Sequence, residues 1–236
     1  MITPHKSYPD LAKALEMKSI FFKREDLHPY GSHKGRSIPV MIDTYVEQRI
    51  RHFAISSSGN AALAAAFYIS KLNEMTDQHI KLDILVGQNI TKKKLHKLEQ
   101  FKNEHISITI HDRPIQTLFT KTKDPLIKAL RQSTDDNALV GYSALAKELL
   151  EIPDLKAVFI GTSSATTAQA LAEYFGNKVE VHIIQTSSCH PISDHFVNDE
   201  TLDEPSVADA IVDHGAIRKD TVIKLIEKSG GSGWIA

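Results

Sequence analysis

The sequence predicts an α/β fold with a mostly parallel sheet and helices on both faces, and three observations carry that prediction. Short apolar runs alternate with longer amphipathic or alanine-rich stretches through 236 residues. No Pro/Gly-rich linker or low-complexity stretch divides the chain, and two segments repeat one strand–turn–helix unit. A helix following each strand is what returns the chain to lay the next strand parallel to the last.

The strands are read at 20–22, 53–55, 82–86, 106–110, 157–160 and 179–184, each a short apolar or alternating run. Helices fill nearly all the intervals. The helix opening at Thr91 places Leu95, Leu98 and Phe101 on one face, and Lys92, Lys93, Lys94 and Lys97 read as its solvated side. A helix after Asp220 carries Val222, Ile223, Leu225 and Ile226, with an acidic cap expected at its start and Gly230 at its stop. The polar stretch 121–137, with Asp135 and Asp136, is the expected irregular connection. The trio Trp234, Ile235 and Ala236 reads like the beginning of a further strand.

Composition narrows the function classes. Lys plus Arg total 28 against 29 Asp plus Glu, a formal net charge of −1, so no positive field marks a general nucleic-acid binder. The longest uninterrupted apolar run, 61–69, is nine residues, whereas a membrane-spanning helix needs about 20. The opening residues lack the apolar stretch of a secretory signal. A single cysteine, Cys189, cannot form an internal disulfide, which fits a reducing cytoplasm. A length between one and two ordinary domains lets the chain bury roughly 70–75% of its unfolded surface.

The repeated unit spans 53–66 and 159–172: an apolar strand, a turn of Gly, Ser and Thr, then an alanine-rich helix. Small residues let backbone N–H groups point into such a turn, and the helix N-terminus adds about half a positive charge. Either turn can hold an anion; equally, Ser, Thr and Asn cap helices everywhere. A third segment, 23–36, reads KREDLHPYGSHKGR and places Lys34 after a Pro/Gly turn at the start of a helix. The helix dipole there lowers the cost of deprotonating an amine, although a loop lysine is ordinarily a solvated charge. Cys189, His190, Asp194 and His195 form one compact group of metal-capable residues, but Pro191 and Ser193 make it a loop with a single soft ligand and no second cluster, so no metal is expected.

Together, the three segments resemble the fold type II family of pyridoxal-phosphate enzymes, which includes threonine synthase, serine/threonine dehydratases, cysteine synthase and the tryptophan synthase beta subunit. KREDLHPYGSHKGR resembles the family's lysine segment, SSGN at 57–60 its substrate and cofactor loop, and GTSSAT at 161–166 stands in place of its Gly-rich phosphate loop. Order and spacing agree along essentially the whole chain. The resemblance implies two lobes with pyridoxal 5'-phosphate in the cleft, a larger one from 1–37 plus 141–236 and a smaller mobile one from 38–140. It implies that Lys34 forms a Schiff base with the cofactor and later moves the proton at the substrate Cα. Asn60 would meet the ring oxygen O3′, Ser57, Ser58 and Gly59 the substrate carboxylate, and Gly161, Thr162, Ser163, Ser164 and Ala165 the cofactor phosphate.

The implied activity is that of a lyase or synthase of amino-acid metabolism, eliminating or replacing a β or γ substituent, nearest in look to threonine synthase, in a cytoplasmic homodimer. Four positions depart from the family pattern. Gly35 replaces an aspartate common in threonine synthases, His33 before the lysine is more like tryptophan synthase beta, and serines 163 and 164 stand where glycines are usual. Relatives continue beyond residue 236, so a shortened homologue or a truncated chain is expected. Two alternatives stay open: a non-catalytic cofactor-binding relative, and a phosphosugar-binding module of the sugar-isomerase (SIS) type, whose Ser-rich turns look similar but which has no place for Lys34.

Overall fold

The computed structural model describes residues 2–197, 200, 206–208 and 210–236. The chain divides into two compact units, Met1–Leu130 and Arg131–Ala236.

The first unit opens with β1 (His5–Ser7), α1 (Pro9–Ala14) and β2 (Phe21–Lys23), the two strands pairing antiparallel. After α2 (Lys34–Glu47) the chain alternates through β3 (His52–Ser56), α3 (Asn60–Met75), β4 (Lys81–Gly87), α4 (Lys92–Glu99), β5 (Ile106–His111), α5 (Pro114–Lys121) and β6 (Ile127–Ala129). Four strands form one parallel sheet in the order β5-β4-β3-β6. The centres of its two inner strands are largely apolar because helices cover them: Phe53, Ala54, Leu82, Ile84 and Leu85 are all fully buried. The α4 lysines 92, 93 and 97 face solvent while Leu98 is buried, and Thr91 caps the helix by accepting the Lys94 N–H. Within 121–137 a three-residue edge strand, β6, pairs with β3; a run that short has no legible period.

The second unit contains α6 (Asn137–Val140), α7 (Ser143–Leu150), β7 (Ala157–Gly161), α8 (Thr166–Phe175), β8 (Glu180–Gln185), α9 (Lys219–Ser229) and β9 (Gly233–Ile235). Its three strands are parallel in the order β7-β8-β9, and two of the final apolar trio, Trp234 and Ile235, lie in the last of them, which opens at Gly233. Helix α9 stops at Gly230 in a left-handed C-cap (φ +82°). Its start differs from expectation: Asp220 lies inside the first turn and Arg218 holds the N-cap position without a side-chain cap. No helix among the described residues is long and apolar enough to cross a membrane.

Candidate active site

Lys34 is the first residue of α2, following a turn in which Gly31 takes φ +76°. Its backbone N–H donates to Ser32 Oγ at 3.3 Å. The side chain is half-buried, and its ammonium has no ion pair or hydrogen bond among the described residues. Two residues on, Arg36 is buried and forks onto Glu25, with Nε to Oε2 at 2.6 Å and Nη2 to Oε1 at 2.8 Å. The same Nη2 reaches Thr3 Oγ1 at 2.9 Å, and Thr3 donates to Glu25 in turn. A bidentate pair with every oxygen engaged fixes the first turn of α2 against the residues flanking the N-terminal strand pair, Thr3 before β1 and Glu25 after β2. This anchor was not read from the sequence; an acidic and a basic residue eleven apart in one segment, around a turn, was the signal.

Gly35 has a steric cause. A Cβ built there would lie 2.4 Å from His28 Cε1 and 2.5 Å from both His28 Nδ1 and Tyr30 Cδ2. A side chain here, such as the aspartate common in threonine synthases, would force one of these two rings to move. Burial, followed by the charges of Lys34, Arg36 and His28, pushes the His33 imidazole down to about 3, so it is neutral beside Lys34 at neutral pH.

Ser57–Asn60 lead from β3 into α3, which packs against α2. Ser57 Oγ accepts the Gly59 N–H at 3.2 Å, which bends the turn. Space around Gly59 is open, with nothing within 4 Å of a Cβ placed there. Ser58 is half-buried and Asn60 exposed, and no side chain caps α3. The uncapped first turn leaves N–H donors for a carboxylate.

In the second unit, Gly161 ends β7, and the Thr162 N–H donates to Ile184 O at 2.9 Å. Thr162 Oγ1 accepts the Ala165 N–H at 3.1 Å. Ala165 is left-handed at φ +55° and fully buried, a conformation that costs a non-glycine residue about 1 kcal/mol. Ser164 Oγ meets Thr166 Oγ1 at 3.0 Å, and Thr166 Oγ1 reaches Gln132 O at 3.3 Å. The Ser163 and Ser164 N–H groups have no acceptor among the described residues, and α8 behind them has no side-chain cap. Two free amides before an uncapped ten-residue helix fit a phosphate. An unpartnered, half-buried amine at Lys34 likewise fits a carbonyl partner.

The metal-capable group resolves into local pairs: Cys189 Sγ lies 3.7 Å from His214 Nδ1, His190 bonds Asp194, and His195 Nε2 meets Glu227 Oε1 at 2.8 Å.

Comparison with known proteins adds three findings. Residues 2–234 match the family "Pyridoxal-phosphate dependent enzyme". The L-serine dehydratase/L-threonine deaminase of Homo sapiens is 26% identical over 188 residues, covering 73% of this chain and 53% of that protein. Its Mus musculus counterpart is 29% identical over 154 residues, covering 63% and 44%, so the chain spans about half the length of these curated relatives. Among solved structures, a pyridoxal 5'-phosphate-dependent aspartate racemase superposes with TM-score 0.82 at 20% identity, covering 100% of this chain and 74% of that one. An L-serine ammonia-lyase from Rhizomucor miehei gives 0.78 at 16%, covering 100% and 76%.

Proposed function

We propose, for a chain that belongs to the pyridoxal-phosphate dependent enzyme family, that it is a lyase eliminating a β substituent from a small amino acid. The observation that carries the proposal is Lys34: an unpartnered amine opening α2, held in place by the buried Arg36–Glu25 fork. The expected likeness to threonine synthase narrows differently, because the relatives named above are serine/threonine dehydratases and an ammonia-lyase. Elimination is therefore favoured over replacement at the γ carbon. The SIS-type module is set aside, since the family match runs through the Lys34 segment.

When bound, the cofactor supplies an electron sink that makes the substrate Cα–H acidic. Lys34 would hold the cofactor through its amine and, as the base nearest the substrate, would accept the Cα proton. Neutral His33 adds no second positive charge beside it. Ser57, Ser58 and Gly59 would receive the substrate carboxylate, and Asn60 would meet the ring oxygen O3′. The backbone of Gly161–Ala165 would hold the phosphate through the free amides of Ser163 and Ser164.

The test is absorption before and after borohydride, followed by peptide mapping. The reduced adduct is expected on Lys34, and Lys34→Ala should abolish it with the circular dichroism unchanged. An adduct on another lysine, or none, sinks the assignment. Release of a 2-oxo acid and ammonia from serine or threonine marks the lyase; a static adduct spectrum without product marks a binding relative.

A further inference from the structure

Ser163 stands where the family's loop is usually glycine, and its side chain makes contacts that no glycine can. Its Oγ accepts two backbone N–H groups, from Val212 at 3.1 Å and from Asp213 at 3.0 Å. Both donors come from a segment about fifty residues later in the chain. The same later segment is tied to the loop's helix a second time. Arg218, buried at the start of α9, donates through Nη1 to Gln169 Oε1 on α8 at 2.9 Å and through Nη2 to Gln132 O at 2.9 Å. Gln132 O is also the acceptor of Thr166 Oγ1, in the first turn of α8.

A hydroxyl oxygen has two lone pairs and one proton. With two N–H groups on the oxygen, both lone pairs of Ser163 are occupied and its O–H proton is left to donate. Donors feeding into an oxygen polarise its O–H bond and strengthen what it gives. No acceptor among the described residues takes that proton, and the Ser163 backbone N–H beside it is equally unclaimed. A group that presents two donors and has exhausted its own acceptors is matched to an anionic oxygen.

We infer that Ser163 is a relay in the cofactor site: its Oγ anchors the Val212–Asp213 amides while its hydroxyl proton and backbone N–H both go to the cofactor phosphate. This rests on the reading of Gly161–Ala165 as the phosphate loop. The serine thus replaces the glycine's openness with an extra donor, and it makes the order of Val212 and Asp213 depend on phosphate. Linkage makes the dependence mutual: whatever loosens those amides weakens phosphate binding by the same factor.

The experiment titrates the full chain with pyridoxal 5'-phosphate and with pyridoxal, which lacks the phosphate, and compares Ser163→Ala and Ser163→Thr. A hydrogen bond to a charged oxygen is worth about tenfold or more in affinity. Ser163→Ala should therefore lose about tenfold for pyridoxal 5'-phosphate and nothing for pyridoxal, while Ser163→Thr keeps the native preference. Hydrogen exchange at Val212 and Asp213 should slow when pyridoxal 5'-phosphate is added to the native chain, and should be fast with or without it in Ser163→Ala. Should Ser163→Ala fold poorly, Ser163→Gly, the family's own residue, serves in its place. Equal loss for both aldehydes, or no loss for either, overturns the relay. A native chain that shows no preference for the phosphorylated aldehyde, or no adduct at Lys34, overturns instead the reading beneath it.

Discussion

At position 35 the rings of His28 and Tyr30 occupy the space that a Cβ would take. Gly35→Ala is expected to lose about 1–3 kcal/mol in urea unfolding, the usual cost of overpacking. Adding His28→Ala should recover part of that loss, since the two changes share one contact; additive losses would show that the clash is not the cause. His33 sets a pH dependence whose sign is fixed. Its folded value, about 3, lies below the ordinary 6.5, so the unfolded chain binds the extra proton between them. His33 therefore contributes stability that is present above about 6.5 and is lost as pH falls toward about 3. Unfolding free energies of His33→Gln measured across that window should have a shallower slope than those of the native chain.

At the scale of elements, the first turn of α2 is held by charge and not by a cap. Arg36 and Glu25 have side chains only 3% and 16% exposed, so removing one partner strands the other in a poorly solvated place. Arg36→Ala should destabilise the fold by about 3 kcal/mol and slow trapping of Lys34 by borohydride. A variant as stable and as reactive as the native chain would show that the fork does not place the lysine. The sheet of the first unit is pinned similarly at Asp83 on β4. There, burial raises the carboxyl, but hydrogen bonds from Lys121 at 2.8 Å and Ser107 at 2.6 Å outweigh it, and the value ends below the ordinary range. Six strand positions were legible in the sequence as short apolar or alternating runs, five of them in the two parallel sheets and one, β2, in the antiparallel pair. β1 and β6 escaped notice at three residues each, and both are defined by a partner strand rather than by a period of their own.

For the whole molecule, a homodimer is the assembly we propose for this chain. Phe159 and Trp234, exposed by 54% and 47%, flank His182 in the second unit, and the Phe159 ring stacks on His182 at 4.5 Å. Apolar rings left in water favour association. Sedimentation velocity at micromolar concentration should give a dimer; a stable monomer removes the proposal.

The alternation of elements, the lysine at a helix start and the two small-residue turns are local properties. The sequence by itself determined the α/β class, because periodicity and turn chemistry are written along the chain, and its motifs supplied the residues proposed for the site. Contacts between distant residues decided the rest: that Gly35 must be glycine beneath His28, that Arg36 finds Glu25, that the Ser163 hydroxyl meets Val212 and Asp213, and that Arg218 rather than Asp220 opens α9. Nothing in a one-dimensional pattern ranks one of these pairings above another, since each depends on which atoms the folded backbone brings within about 3 Å, the range in which a hydrogen bond or a clash acquires its energy.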